Sequence, residues 1–162
     1  MQRRGVLGLV AAAVLAACAD RGAKASLDQG KAFLAGNAKQ PGVHVLASGL
    51  QYRILQSGPP TGLRPKPLDE IKVHYEGKLL NGDIFDSSYQ KGVPMVTTPN
   101  NLIPAWTEAL QLMRPGDIWM LYVPPKLGYG DKGAGPIPPN AVLIFKIELL
   151  GVLPDESSVG RG

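Results

Sequence analysis

Apolar and polar positions alternate over Ile71–Leu79, with Ile71, Val73, Tyr75 and Leu79 on one side and Lys72, His74, Glu76 and Lys78 on the other. A period of two predicts a strand with one buried and one wetted face. Asn81-Gly82 follows, a pair that tolerates the positive φ of a tight turn. The return strand, "DIFDSS", then carries Phe85 and Asp86 side by side. Upstream, "GLQYRILQ" (49–56) sets Leu50, Tyr52 and Ile54 against Gln51 and Arg53. Downstream, "DIWMLYVPP" (117–125) is an apolar strand closed by two prolines. The last strand, "AVLIFKIELLGV" (141–152), points Leu143, Phe145, Ile147 and Leu149 one way and Lys146 and Glu148 the other.

Helical spacing occurs twice. In "PNNLIPAWTEALQLMRPGD" (99–117), Trp106, Ala109, Leu110 and Met113 recur at three- and four-residue steps, one apolar stripe. Pro104 fits the first turn, where a missing N–H costs nothing, and Pro115-Gly116 stops the helix. "LDQGKAFLAGNAK" (27–39) is looser, weakened by Gly30 and Gly36, and predicts only a short helix. Residues 19–26 read as a tether, 57–67 as a Pro- and Gly-rich loop, and 153–162 as a mobile polar tail. Strands without strand–helix alternation predict an α+β fold, a curved antiparallel sheet with one short helix packed on its apolar face.

The chain has 162 residues, 44% hydrophobic and 19% charged, which suits one globular domain with a core. Its formal charge of +4 raises the question of nucleic acid. Discounting Arg3 and Arg4 with a cleaved leader takes 17 basic residues to 15 against 13 acidic. No basic run remains, and nucleic acid is set aside as a partner.

"MQRRGVLGLVAAAVLAAC" has a basic start and an apolar run from Val6 to Ala17, too short for a bilayer span but suited to a signal peptide. Leu15-Ala16-Ala17-Cys18 resembles the lipobox of bacterial lipoproteins, which implies a leader over 1–17 and a lipidated Cys18 that anchors the chain to a membrane. Ordinary cleavage after Ala19, leaving Cys18 without a role, is the alternative. By analogy with lipoproteins, Ala19 rather than Asp points to the outer membrane. The lone cysteine excludes an intramolecular disulfide.

Conventional catalytic chemistry is sparse. His44, His74 and one cysteine cannot build a zinc site of the usual ligand count, and His74 reads as a solvated residue on the polar strand face. No serine or cysteine has a nucleophile's context. "GYGDKG" (128–133) matches G-x-G-x-x-G, yet the prolines on both sides prevent the helix that would receive a pyrophosphate. No cofactor and no metal are expected. What remains is aromatic: Tyr75, Phe85, Trp106, Tyr129 and Phe145. They could be core alone or the walls of a pocket. Asp86 beside Phe85 favours a pocket, because a charge there needs a partner or an open cleft. So does Tyr129, an aromatic in a Gly-rich loop rather than in a packed element.

"VHYEGKLLNGDIFDSS", "VPMVTTPNNLIPAWTEALQLMRPGD" and "YGDKGAGPIPPNAVLIFKIELL" resemble successive signatures of FKBP-type peptidyl-prolyl cis-trans isomerases. "FLAGNAKQPGVHVLASGLQYRIL" resembles the run that leads into the domain in the Mip-like branch of exported bacterial members. The resemblance covers roughly residues 33 to 152 and implies a half-barrel, an antiparallel sheet wrapped around a short helix. With the leader it divides the chain into 1–17, a tether and short helix over 18–48, an isomerase domain over 49–152, and the tail. It makes Tyr75, Phe85, Asp86, Trp106, Tyr129 and Phe145 the catalytic set. Leu102, Ile103 and Ile137 add substrate contacts, with the Ile103 N–H and the Tyr129 hydroxyl on substrate carbonyls. Asp86 acts through its field or anchors its neighbours.

The implied partners are proline-containing unfolded or nascent exported proteins, with tacrolimus or rapamycin as inhibitors, at an envelope location facing the periplasm. Three departures bear on the macrolides: Ala105 stands where the family commonly has glycine, Met95–Thr98 lacks a common phenylalanine, and the Gly130–Pro138 loop is one residue shorter than in many relatives. Mip-like relatives dimerise through a longer helical region. The dozen helix-compatible residues here predict a monomer. The rival reading is a chaperone-like binding module for proline peptides with negligible turnover.

Overall fold

A computed structural model of the chain describes residues 7–156, with side chains over 20–156. The Cys18 side chain and the end of the expected tail lie outside these. Helix α1 (Leu7–Asn37) precedes β1 (Val43–Val45), β2 (Gln51–Gln56), β3 (Glu70–Leu79) and β4 (Ile84–Ser87). One turn of helix, α2 (Ser88–Lys91), leads to β5 (Met95–Thr97), α3 (Pro104–Leu110), β6 (Ile118–Val123) and β7 (Leu143–Leu153). The strands form one antiparallel sheet in the order β1-β2-β6-β7-β3-β4, with β5 also on β3. The α+β class and the curved sheet with a short helix on its apolar face hold.

Alternation decides which face of each strand is buried. β3 buries Ile71, Val73, Tyr75 and Gly77, β6 buries Trp119, Leu121 and Val123, and β7 buries Leu143, Phe145, Ile147 and Leu149. Into that face α3 packs Trp106, Ala109 and Leu110, with Met113 just beyond its end. Burying a side chain such as Leu110 contributes about 1.5–3 kcal/mol. Pro104 takes the first helical position, as its missing N–H predicts.

Four expectations need correction. First, α1 is a continuous helix of 31 residues, so 19–26 is helical and not a tether, and the length argument for a monomer no longer holds. Its least exposed residues, Ala23, Ser26, Leu27, Gly30, Phe33, Leu34 and Asn37, form one stripe against the domain. Gly30 is the point of closest approach: a Cβ there would stand 2.7 Å from Val142 Cγ2. Second, the β2 alternation is only half right. Gln51 is buried, because its side chain donates to Leu34 O at 2.9 Å and accepts from Asn37 Nδ2 at 2.8 Å under α1. Ile54 is 41% exposed. Third, the tail starts later than Leu153, which ends β7, and the Asp155 N–H donates to the buried Asp69 carboxylate at 3.0 Å. Fourth, His74 is not simply solvated: its ring stacks on Tyr89 at 4.8 Å and its Nδ1 lies 2.9 Å from Ser88 Oγ.

Candidate functional site: an aromatic cavity on the concave face

Between the sheet and α3 lies a cavity of about 440 Å³, lined by Tyr75, Phe85, Asp86, Met95, Asn101, Leu102, Ile103, Trp106, Tyr129 and Phe145. β3 brings Tyr75, β4 brings Phe85 and Asp86, β7 brings Phe145, and the turn into α3 brings Leu102 and Ile103. Eight of the nine residues expected at the pocket therefore converge. Ile137 does not line it: its side chain packs in the core, where its backbone exchanges two hydrogen bonds with Ala134. Met95 and Asn101 were not singled out as site residues.

The rings form a chain of edge-to-face contacts. Tyr75 meets Trp106 at 5.2 Å and 80°, Trp106 meets Phe145 at 5.2 Å and 90°, and Phe145 meets Phe85 at 5.5 Å and 89°. Aromatic pairs prefer this geometry, in which the positive edge of one ring meets the negative face of the next. Trp106 is 3% exposed, and its buried indole N–H has no partner among the described residues. Gly77 makes the arrangement possible: a Cβ there would stand 2.5 Å from Phe85 Cζ and 2.7 Å from Phe145 Cε1. Sequence periodicity counts Gly77 as an empty position, although the rings occupy its place.

The carboxylate at the site is paired. The Tyr75 hydroxyl donates to Asp86 Oδ2 at 2.7 Å, and Lys91 Nζ donates to Oδ1 at 2.6 Å. Burial pushes the Asp86 carboxyl up, but the hydrogen bonds from Lys91 and Tyr75 and the Lys91 charge outweigh it and hold it below the usual aspartate range. Burial and the bond to Asp86 push the Tyr75 hydroxyl the other way, so it stays a donor. Lys91 is in reach because α2 turns the chain back: Ser87 Oγ caps Gln90 N at 3.3 Å, and Gly92 closes the helix at φ 72°. Ser88 Oγ accepts the Tyr75 N–H at 2.7 Å and donates to the Tyr75 carbonyl at 3.2 Å, which leaves His74 as the Nδ1–H donor to that oxygen.

Two hydrogen-bond donors border the rings. The Ile103 N–H donates to no protein acceptor among the described residues. Tyr129 stands in the loop after β6, 40% exposed, lining the cavity from a Gly-flanked turn. No group of three or more metal-ligating side chains occurs among the described residues. The 128–133 segment is a turn, not a helix start, so the dinucleotide motif is a coincidence of glycines.

Comparison with known proteins agrees with this geometry. Residues 62–150, more than half of the chain, match the family described as FKBP-type peptidyl-prolyl cis-trans isomerase, and residues 9–54 match the domain amino-terminal to it. The chain is 50% identical over 126 residues to the peptidyl-prolyl cis-trans isomerase Mip of Coxiella burnetii, covering 77% of this chain and 54% of the relative. It is 47% identical over 125 residues to the outer membrane protein MIP of Legionella longbeachae, covering 76% and 53%. The crystal structure of FkpA from Escherichia coli superposes with a TM-score of 0.81 at 38% identity, covering 85% of this chain and 64% of that one. The chain spans about half the length of the curated relatives it matches. On its sequence and its fold alike, the chain belongs to the FKBP-type peptidyl-prolyl cis-trans isomerase family.

Proposed function

We propose that this chain catalyses cis–trans rotation of the peptide bond before proline in exported proteins. The observation that carries the reading is the run of four edge-to-face rings around a 440 Å³ cavity, with Ile103 and Tyr129 at its border. Rotation about an X–Pro bond passes a twisted amide about 18–20 kcal/mol uphill. Twisting breaks resonance, localises the lone pair on nitrogen and weakens the amide dipole. A dry aromatic wall therefore favours the twisted form over the planar ground state. The Ile103 N–H and the Tyr129 hydroxyl hold flanking carbonyls in the twisted arrangement. Lowering the barrier by about 5 kcal/mol gives roughly three to four decades of rate. No proton is transferred and no covalent bond is made. Asp86, tied on both oxygens by Tyr75 and Lys91, serves to fix the hairpin side of the wall.

Proline segments of unfolded exported chains are the substrates, and Cys18 is the lipid anchor on the periplasmic side of the envelope. The leader pattern supports this, and one relative is named an outer membrane protein. Among the described residues no helix is long and apolar enough to cross a membrane. A protease-coupled assay with a proline tetrapeptide tests the activity. Turnover well above the spontaneous rate is expected; binding of the peptide at the spontaneous rate would leave the binding-module reading in its place.

A further inference from the structure

We propose that Asn140 is a positioning residue that couples the docked helix α1 to the loop presenting Tyr129; the inference rests on the reading of the Tyr129 hydroxyl as a donor to substrate. Asn140 is the one non-glycine residue among those described with a positive φ, at 57°. Asparagine tolerates that backbone, but it is unfavourable for most side chains, so the loop is held in it by its bonds. Those bonds run in two directions. Toward the site, the Asn140 N–H donates to Gly130 O at 2.9 Å, immediately after Tyr129. Gly130 N in turn donates to Pro125 O at 2.9 Å, and Gly133 N to Tyr129 O at 3.2 Å. Toward the helix, Asn140 Nδ2 donates to Ala23 O at 3.2 Å, and its carbonyl accepts from Ser26 Oγ at 3.3 Å. The helix is held there by the close approach of Gly30 to Val142, two residues past Asn140. Helix and loop are thus joined through one residue, by its side-chain amide and backbone carbonyl on the helix side and its backbone N–H on the loop side. Tyr129 is 40% exposed and has no packed element of its own, so its placement depends on the bonds that fix Gly130.

A double-mutant cycle in the full chain tests the coupling, read as kcat/KM on a proline tetrapeptide. Asn140→Gly keeps the positive φ and the N–H to Gly130 but deletes the amide that reaches Ala23. Tyr129→Phe and Asn140→Gly are each expected to lower kcat/KM roughly two- to tenfold, and the double variant should be no slower than Tyr129→Phe alone. A role confined to stability would not produce that saturation. Should Asn140→Gly fail to fold, Ser26→Ala, which removes only the bond to the Asn140 carbonyl, takes its place in the cycle. If Tyr129→Phe is slow while Asn140→Gly and Ser26→Ala turn over at the wild-type rate, the coupling is overturned and the role of Tyr129 stands. Losses that multiply in the double variant also overturn it. A Tyr129→Phe variant as fast as wild type overturns the hydroxyl's role and the coupling together.

Discussion

The Tyr75 hydroxyl and the Asp86 carboxylate are joined at 2.7 Å across the β3–β4 hairpin, and Lys91 holds the other oxygen of the same carboxylate. This three-residue bracket fixes one side of the cavity.

Because the Asp86 carboxyl is held below its ordinary range, its contribution to stability is fully present above about pH 4 and is lost as pH falls through the lowered value. Lys91→Gln removes the pair that outweighs burial and leaves the carboxyl to rise. The acid limb of turnover should then move to higher pH, while rates at neutral pH change little. Carboxyl NMR titration of Asp86 in the two proteins checks this. An unmoved midpoint would show that Lys91 is a bystander.

Gly77→Ala should damage the site more than its size suggests. The added Cβ meets Phe85 and Phe145 within 2.7 Å, and overpacking of this kind costs about 1–3 kcal/mol. Gly151→Ala, in β7 with open space around its Cβ and no positive φ, is the control and should be neutral or mildly stabilising. Thermal unfolding and turnover of both variants decide it. Equal behaviour of the pair would contradict the close packing at Gly77.

Within the segment that lacks the family's common phenylalanine, Met95 lines the cavity and Val96 is 54% exposed. Met95→Phe should therefore tighten tacrolimus binding several-fold, because a ring there offers more apolar area to bury against the ligand, at about 25 cal/mol per Å². Val96→Phe should not. Calorimetry that finds no gain for Met95→Phe would show that the missing phenylalanine does not limit macrolide affinity.

Cys18→Ser should release a soluble or uncleaved form. Two or more acyl chains hold a protein firmly, and a single one only marginally. Mass spectrometry of the natural N-terminus provides the check; an unmodified cysteine there would refute lipidation.

Period-two alternation is strong in β3 and over Leu143–Leu149 of β7, and β6 stands out as an unbroken apolar run, so the strands that carry most of the core were legible in the sequence. β1 and β5 were not, since three residues are too few to show a period. Gln51 hides for another reason: a buried amide is polar in any pattern, and only the carbonyl of Leu34 and the amide of Asn37 above it explain the burial. α1 reads as short in sequence because Gly30 and Gly36 weaken its pattern and the small, polar residues 19–26 look like a tether. Gly30 is instead the contact that lets the helix lie against Val142. At the site, the resemblance names rings that the structure brings to one cavity, and it also names Ile137, which packs in the core instead, since a motif does not distinguish a residue in the wall from one packed behind it.

The register of β3 on β7 sets Gly77 opposite Phe145 and Tyr75 opposite Ile147, partners separated by most of the domain. Pairings this distant close late, because a long loop must be brought together before any contact rewards it. The cavity therefore has no partial form. Until the final strand has zipped onto β3, Phe145 is missing and Phe85 lacks its ring partner. In that interval β3 has one edge paired, against β4 and β5, while the edge that will receive β7 stays open.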